Sequence, residues 1–133
     1  MSDLVVDASF AVRACGVEKG FSVLGRAKLK APALMWSEAR SVIRETVWRG
    51  EVELEDGQLT YRRLATGPVE RTEHPDLHEE TWRVAEEMGW ARTYDAEYVA
   101  LARLLGCRLV TLDRRLRRGA DRLGFVIAPN ELG

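Results

Sequence analysis

Short apolar runs that alternate with longer amphipathic segments are the feature of this sequence that most restricts its fold. Residues 4–6, 108–111 and 125–127 predict strands, and residues 34–49 predict an amphipathic helix. Apolar runs without polar alternation indicate strands that are buried on both faces, as in a parallel sheet covered by helices. We therefore expect an α/β fold, a three-layer α/β/α sandwich around a central, mostly parallel sheet of short strands.

The remaining segments give weaker signals, and all of them fit one domain. A length of 133 residues, with 46% hydrophobic and 31% charged residues, is typical of one folded domain, so we treat residues 1–133 as a single unit. The further expected elements are helices over 21–29, 55–64, 75–88 and 95–105, a weak strand over 29–31, an edge strand over 69–72, and a basic helix that ends near residue 124.

The expected location is cytoplasmic, with no membrane partner. No apolar run approaches the length that a transmembrane helix needs. The first residues enter a strand pattern directly and lack the basic region of a signal peptide.

Four carboxylates lie beside these predicted elements. Asp7 and Asp113 each follow an apolar strand, Asp95 begins a helix, and Glu38 lies near the buried face of the helix over 34–49. In a parallel sheet, ligands bind at the carboxyl ends of the strands, where the strand order reverses. Four carboxylates gathered there repel each other, which raises the pKa of at least one of them, and a hard divalent cation offsets that repulsion. The pattern thus predicts a Mg²⁺ or Mn²⁺ site and phosphoryl chemistry.

Two other classes of protein stay open at this point. An aspartate phosphoacceptor domain needs a second acid beside Asp7 or a lysine near the last strand, whereas Asp3 is on the wrong face and only three lysines occur. A non-catalytic binding module with the same fold is expected to have lost at least one of the four acids. Metal-dependent cleavage of a phosphodiester distinguishes both alternatives from a hydrolase.

The motifs that contain the four acids resemble those of the PIN domain, and more narrowly those of the VapC-type toxins of toxin–antitoxin systems. They read Val-Val-Asp-Ala-Ser around Asp7, Glu38 ahead of an amphipathic helix, Tyr-Asp-Ala-Glu-Tyr-Val-Ala-Leu-Ala around Asp95, and Leu-Val-Thr-Leu-Asp-Arg-Arg-Leu around Asp113. The resemblance implies a ribonuclease that uses Mg²⁺ or Mn²⁺, an antitoxin partner and a homodimer. The alternative within the same fold is a non-catalytic RNA-binding module, which metal-dependent RNA cleavage distinguishes from the ribonuclease. Residues 51–74 match no motif.

The same resemblance implies roles for individual residues. Asp7, Asp95 and Asp113 are expected to bind the metal directly, and Glu38 to complete the set or to orient the attacking water. Thr111 matches a hydroxyl position of the family, and we expect it to contact RNA phosphate or a metal-bound water.

An arginine run follows Asp113 and predicts either a solvated helix face or a patch that contacts RNA phosphates. Helical spacing places Arg114, Arg117 and Arg118 on one side and Arg115 on another. We therefore expect the first three to bind RNA and Arg115 to matter less.

Partner contacts are expected on apolar helical faces. The candidates for antitoxin binding and self-association are Trp36, Val42, Trp48 and residues 54–64.

Overall fold

This computed structural model describes residues 3–132, which fold around one parallel sheet. Five strands form the sheet and six α-helices flank it within those residues. In chain order the elements are β1 (Asp3–Val6), α1 (Ala8–Cys15), β2 (Lys28–Ala31), α2 (Leu34–Trp48), α3 (Leu54–Thr66), β3 (Glu70–Arg71), α4 (Leu77–Met88), α5 (Tyr94–Leu105), β4 (Arg108–Val110), α6 (Arg114–Gly119) and β5 (Val126–Ile127).

The strand order is β3-β2-β1-β4-β5, and every neighbouring pair is parallel. The chain moves outward from β1 through β2 to β3, and then returns to the other side of β1 with β4. The strand order therefore reverses between β1 and β4, the place where open α/β sheets bind ligands. Asp7 directly follows β1, and Asp113 lies three residues after the end of β4. The topology therefore brings both acids to the place where the strand order reverses.

The central strands β1 and β4 are largely apolar and buried. Leu4, Val5 and Val6 of β1 are buried, as are Leu109 and Val110 of β4, because helices cover both faces. The short edge strand β3 instead carries the exposed Glu70 and Arg71. Charges on an edge strand hinder pairing with another chain.

The helices form two groups, in agreement with the expected three layers. α1, α2 and α3 pack on one another, while α4 packs on α5, which lies against β1 and β4. Right-handed crossovers put the groups on opposite faces, because the chain crosses the sheet in opposite directions before and after β3. Within residues 3–132, no helix combines the length and the apolar character that crossing a bilayer requires.

One predicted helix, over residues 21–29, is wrong. The segment contains only a 3₁₀ turn, Gly20–Leu24, and its last residues belong to β2. Gly25 ends the turn with a φ of 68°, and a Cβ atom at Gly20 would lie 2.0 Å from the Ala14 carbonyl oxygen. The close approach to α1 and the pairing of β2 with β1 therefore override the local helical spacing. The expected edge strand over 69–72 is confirmed as the two-residue β3.

Candidate active site

Asp7 caps α1 and is buried at the carboxyl end of β1. Its Oδ1 accepts hydrogen bonds from the Phe10 amide at 3.0 Å and the Ser9 hydroxyl at 2.7 Å, and its Oδ2 accepts one from the Thr111 hydroxyl. Only 5% of the residue is exposed, and this burial raises the pKa of Asp7 from 3.8 to about 6 despite the three donors. The negative charge of Asp95 adds to the shift.

The hydrogen bonds of Asp7 leave room for one more partner. A carboxylate has about four lone-pair sites, two on each oxygen. Two donors occupy Oδ1 and one occupies Oδ2. Oδ2 therefore keeps one site for a cation or a water molecule.

Thr111 joins Asp7 to the segment that carries Asp113. The hydroxyl donates to Asp7 Oδ2 and accepts from the Asp113 amide at 3.0 Å, while Ser9 Oγ accepts from the Leu112 amide at 3.0 Å. Thr111 is fully buried. The hydroxyl of Thr111 thus orients Asp7, and its contact with RNA phosphate or a metal-bound water stays a prediction.

Glu38 lies on α2 and receives a hydrogen bond of 2.5 Å from the Tyr98 hydroxyl to its Oε1. Burial raises the pKa of Glu38, and the charge of Asp95 contributes, while the Tyr98 bond opposes the rise. Burial and the Glu38 charge together raise the pKa of Tyr98, so the phenol stays protonated as a donor. The sequence does not indicate this bond, because nothing local connects Tyr98 to a residue 60 positions earlier.

Asp95 and Asp113 line one cleft. Asp113 caps α6, where its Oδ1 accepts from the Arg115 amide at 2.9 Å and the Leu116 amide at 3.2 Å. Asp95 is exposed in the first turn of α5; partial desolvation by the cleft raises its pKa, as does Asp113, and Arg115 opposes the rise. The expected rise in pKa among the acids is therefore present, although burial contributes more to it than like-charge repulsion.

The cleft has a volume of about 640 Å³ and combines acidic, basic and aromatic side chains. Its lining comprises Glu38, Gly89, Trp90, Ala91, Arg92, Tyr94, Asp95, Asp113, Arg115 and Leu116. Three of the four acids selected from the sequence thus line one space, and Asp7 adjoins it closely enough for its pKa to respond to Asp95.

The donor chemistry of these acids suits a hard divalent cation. As the side chains stand within residues 3–132, no three of the His, Cys, Asp and Glu side chains converge closely enough to hold one ion. Glu38 and Asp113 each use one oxygen in the bonds given above, so in the described chain Oε2 and Oδ2 remain for a ligand.

The arginines that follow Asp113 differ in their surroundings. Arg115 lines the cleft and the other three arginines do not, which agrees with the helical spacing, while the lesser role expected of Arg115 in RNA binding stays a prediction. Arg117 donates instead to Glu131 at 2.8 Å. Arg114 and Arg118 are exposed, and their contact with RNA stays a prediction.

The apolar faces chosen for partner contacts are exposed in part. Trp48 is 77% exposed and Leu54 60%, and Val42 is exposed beside them. Trp36 is half-buried, with the Arg71 guanidinium 5.3 Å from its ring centroid.

Comparison with known proteins agrees with this architecture. The PIN domain family matches residues 4–122. The VapC ribonuclease Mb0985 of Mycobacterium bovis is 37% identical over 85% of this chain and 87% of its own. Ribonuclease VapC1 of Mycobacterium tuberculosis is 33% identical over 87% and 90%.

A solved structure shares the fold over nearly the whole chain. The crystal structure of PAE2754 from Pyrobaculum aerophilum superposes with a TM-score of 0.77 and 28% identity, and covers 98% of this chain and 92% of that one. Together with the family match over residues 4–122, this likeness leads to one conclusion: the chain belongs to the PIN domain family.

Proposed function

We propose that this chain is a metal-dependent ribonuclease of the VapC type, the toxin of a toxin–antitoxin pair, and that residues 1–133 form one PIN-like domain. The observation that carries the proposal is the cleft at the β1–β4 reversal, which Glu38, Asp95 and Asp113 line and Asp7 adjoins. Relatives named as VapC ribonucleases align over most of the chain, which supports RNA as the substrate.

In this proposal the four acids hold Mg²⁺ or Mn²⁺. The bound cation would offset charge on the scissile phosphate and lower the pKa of the attacking water. The chain supplies the geometry: Ser9, Thr111 and the Phe10 amide hold Asp7 in one orientation. Tyr98 holds Glu38 through Oε1 and leaves Oε2 to accept a hydrogen bond from the attacking water.

The surroundings of Asp7 argue against the aspartate phosphoacceptor alternative. Phosphorylation needs an exposed carboxylate oxygen that can attack a phosphoryl group. Asp7 is 5% exposed and three of its lone-pair sites are engaged. A buried, hydrogen-bonded carboxylate of this kind suits metal binding better than nucleophilic attack.

The proposal includes an antitoxin and a homodimer as partners. The surface that supports them consists of Trp48, Leu54, Leu59 and Tyr61 on α2 and α3, which we call the α2–α3 face. These large hydrophobic side chains are all exposed, and exposed apolar surface is what a protein contact covers. The oligomeric state of the isolated chain distinguishes a second copy from the antitoxin as the partner that covers the α2–α3 face.

Cleavage of total RNA by the purified chain tests the function. We expect cleavage with Mg²⁺ or Mn²⁺, none with EDTA, and products with 5′-phosphate and 3′-hydroxyl ends. Asp7→Ala and Asp113→Ala should each abolish cleavage in a folded protein, and Glu38→Ala should nearly do so. Cyclic-phosphate ends would instead indicate attack by a 2′-hydroxyl, and RNA binding without cleavage would favour the non-catalytic module.

A further inference from the structure

The walls of the acidic cleft carry three side chains that no metal-binding role uses. Arg92 comes from the connection between α4 and α5, Tyr94 is the first residue of α5, and Arg115 belongs to α6. We propose that Tyr94, Arg92 and Arg115 form a subsite for single-stranded RNA, in which the Tyr94 ring stacks on a base and the two arginines contact the phosphates beside it. The inference rests on the proposed ribonuclease function and deepens it.

Tyr94 has the placement that a stacking residue needs. It is the first residue of α5 and precedes Asp95, it lines the cleft, and 55% of its surface is exposed. Tyr98, one turn further along the helix, is 1% exposed and belongs to the core. An aromatic ring left open beside acids selected for phosphodiester chemistry can stack on an unpaired base, whereas bases in a duplex are already stacked on their neighbours.

Arg92 and Arg115 are the basic residues of the same cleft. In the described chain, neither forms an ion pair, whereas Arg117 is paired with Glu131 at 2.8 Å. Asp95 and Asp113 repel a nucleic-acid backbone, so phosphates that pass the cleft need nearby positive charge. The guanidinium groups of Arg92 and Arg115, which line the same cleft, supply it.

The wall that carries Arg92 and Tyr94 is held in place. Gly89 ends α4 in the left-handed conformation, and the Trp90 amide donates to the Ala85 carbonyl at 2.9 Å. The Trp90 indole lies over Gly119 of α6, within 3.6 Å of the position that a Cβ atom would take there. The connection is thus anchored to α6, so the two walls keep their spacing before RNA arrives.

The experiment measures binding of a fluorescein-labelled, unstructured RNA to the full-length chain in EDTA, by fluorescence anisotropy over a range of salt concentrations. Tyr94→Ala should weaken binding about tenfold, and Tyr94→Phe should stay within about twofold of the unaltered chain, because stacking needs the ring and not the hydroxyl. The double variant Arg92→Ala with Arg115→Ala should reduce the salt slope by about 1.4, for two lost phosphate contacts on a single strand. Arg44→Ala is the matched control, since Arg44 is an exposed arginine of α2 that lies outside the cleft, and it should leave both quantities close to those of the unaltered chain.

Unchanged affinity and salt slope in the double variant, or an equal effect of Tyr94→Ala on duplex RNA, would overturn the subsite. So would the absence of RNA binding by the unaltered chain. Cleavage assays of the same proteins with Mg²⁺ separate the two proposals. If the unaltered chain cleaves RNA and the variants bind RNA normally, the proposed function stands and the proposed subsite is wrong. If the unaltered chain never cleaves RNA, but it and the variants bind RNA as described, the subsite stands and the proposed function is wrong.

Discussion

The Tyr98 hydroxyl donates a 2.5 Å hydrogen bond to Oε1 of Glu38 and thereby joins α5 to α2 across the sheet edge. Tyr98 is 1% exposed, so its ring packs in the core while its hydroxyl reaches the site. A long, flexible glutamate side chain on α2 is thereby held in one orientation. Tyr98 is therefore a positioning residue for Glu38.

Removing that hydroxyl should slow cleavage without unfolding the protein. In Tyr98→Phe the ring keeps its packing, but Glu38 loses its donor, so we expect the kcat for RNA cleavage to fall roughly tenfold, consistent with the loss of about one hydrogen bond to a charged group. Initial rates on one RNA substrate measure the effect, and urea unfolding should show a stability loss of about 1–3 kcal/mol. An unaltered kcat would mean that Glu38 does not depend on Tyr98.

The raised pKa of Asp7 should make the metal-free protein less stable as the pH increases. Because the pKa of about 6 in the folded state exceeds the ordinary 3.8, folding favours the protonated form. That stabilisation is fully present below about pH 4 and is lost as the pH rises through about 6, with a maximum of about 3 kcal/mol. Urea unfolding in EDTA from pH 4 to 8 measures it.

Asp7→Asn isolates this contribution from those of Glu38 and Asp95, whose pKa values are also raised. The variant should be more stable than the unaltered chain at pH 8 in EDTA and should lose the part of the pH dependence that Asp7 causes. Parallel pH curves for the two proteins would contradict the assignment.

Addition of Mg²⁺ or Mn²⁺ should raise the melting temperature by mass action. Free metal at about 100 times its Kd adds about 2.7 kcal/mol of stability. Asp95→Asn and Asp113→Asn should reduce the shift, whereas Asp121→Asn, an exposed acid outside the cleft, should not. Equal shifts in all of these proteins would show that the ion binds elsewhere.

Thr111→Val should destabilise the protein and impair cleavage together. The change leaves Asp7 Oδ2 without its donor and the Asp113 amide without its acceptor, which should cost about 1–3 kcal/mol for each group left unpaired. Thr111→Ser keeps the hydroxyl and should retain most of both properties. Similar behaviour of the two variants would assign Thr111 to packing alone.

The isolated chain should form a dimer in light scattering at high concentration. If a second copy covers the α2–α3 face, Trp48→Glu should yield monomers, because the 77% exposed indole would be replaced by a charge. Trp82→Glu is the control, since Trp82 is 63% exposed on α4. A dimer that survives the first change and dissociates with the second would place the interface on α4.

The sequence by itself determined the features that follow from local pattern and chain direction. Apolar runs without alternation predict buried parallel strands, and an acid directly after such a strand must lie at its carboxyl end, so the positions of Asp7 and Asp113 could be anticipated. The family motifs allow Glu38 and Asp95 to be predicted as members of the same site.

The tertiary structure alone decided which side chains meet. The Tyr98–Glu38 bond joins residues 60 positions apart, and the Thr111–Asp7 bond joins residues 104 apart, so both depend on the packing of whole elements. Arg115 lines the cleft because of where α6 lies relative to α5, which helical spacing along one short helix does not specify. Local periodicity defines the faces of each element, but the contacts between elements arise only when burial of those faces sets their relative position.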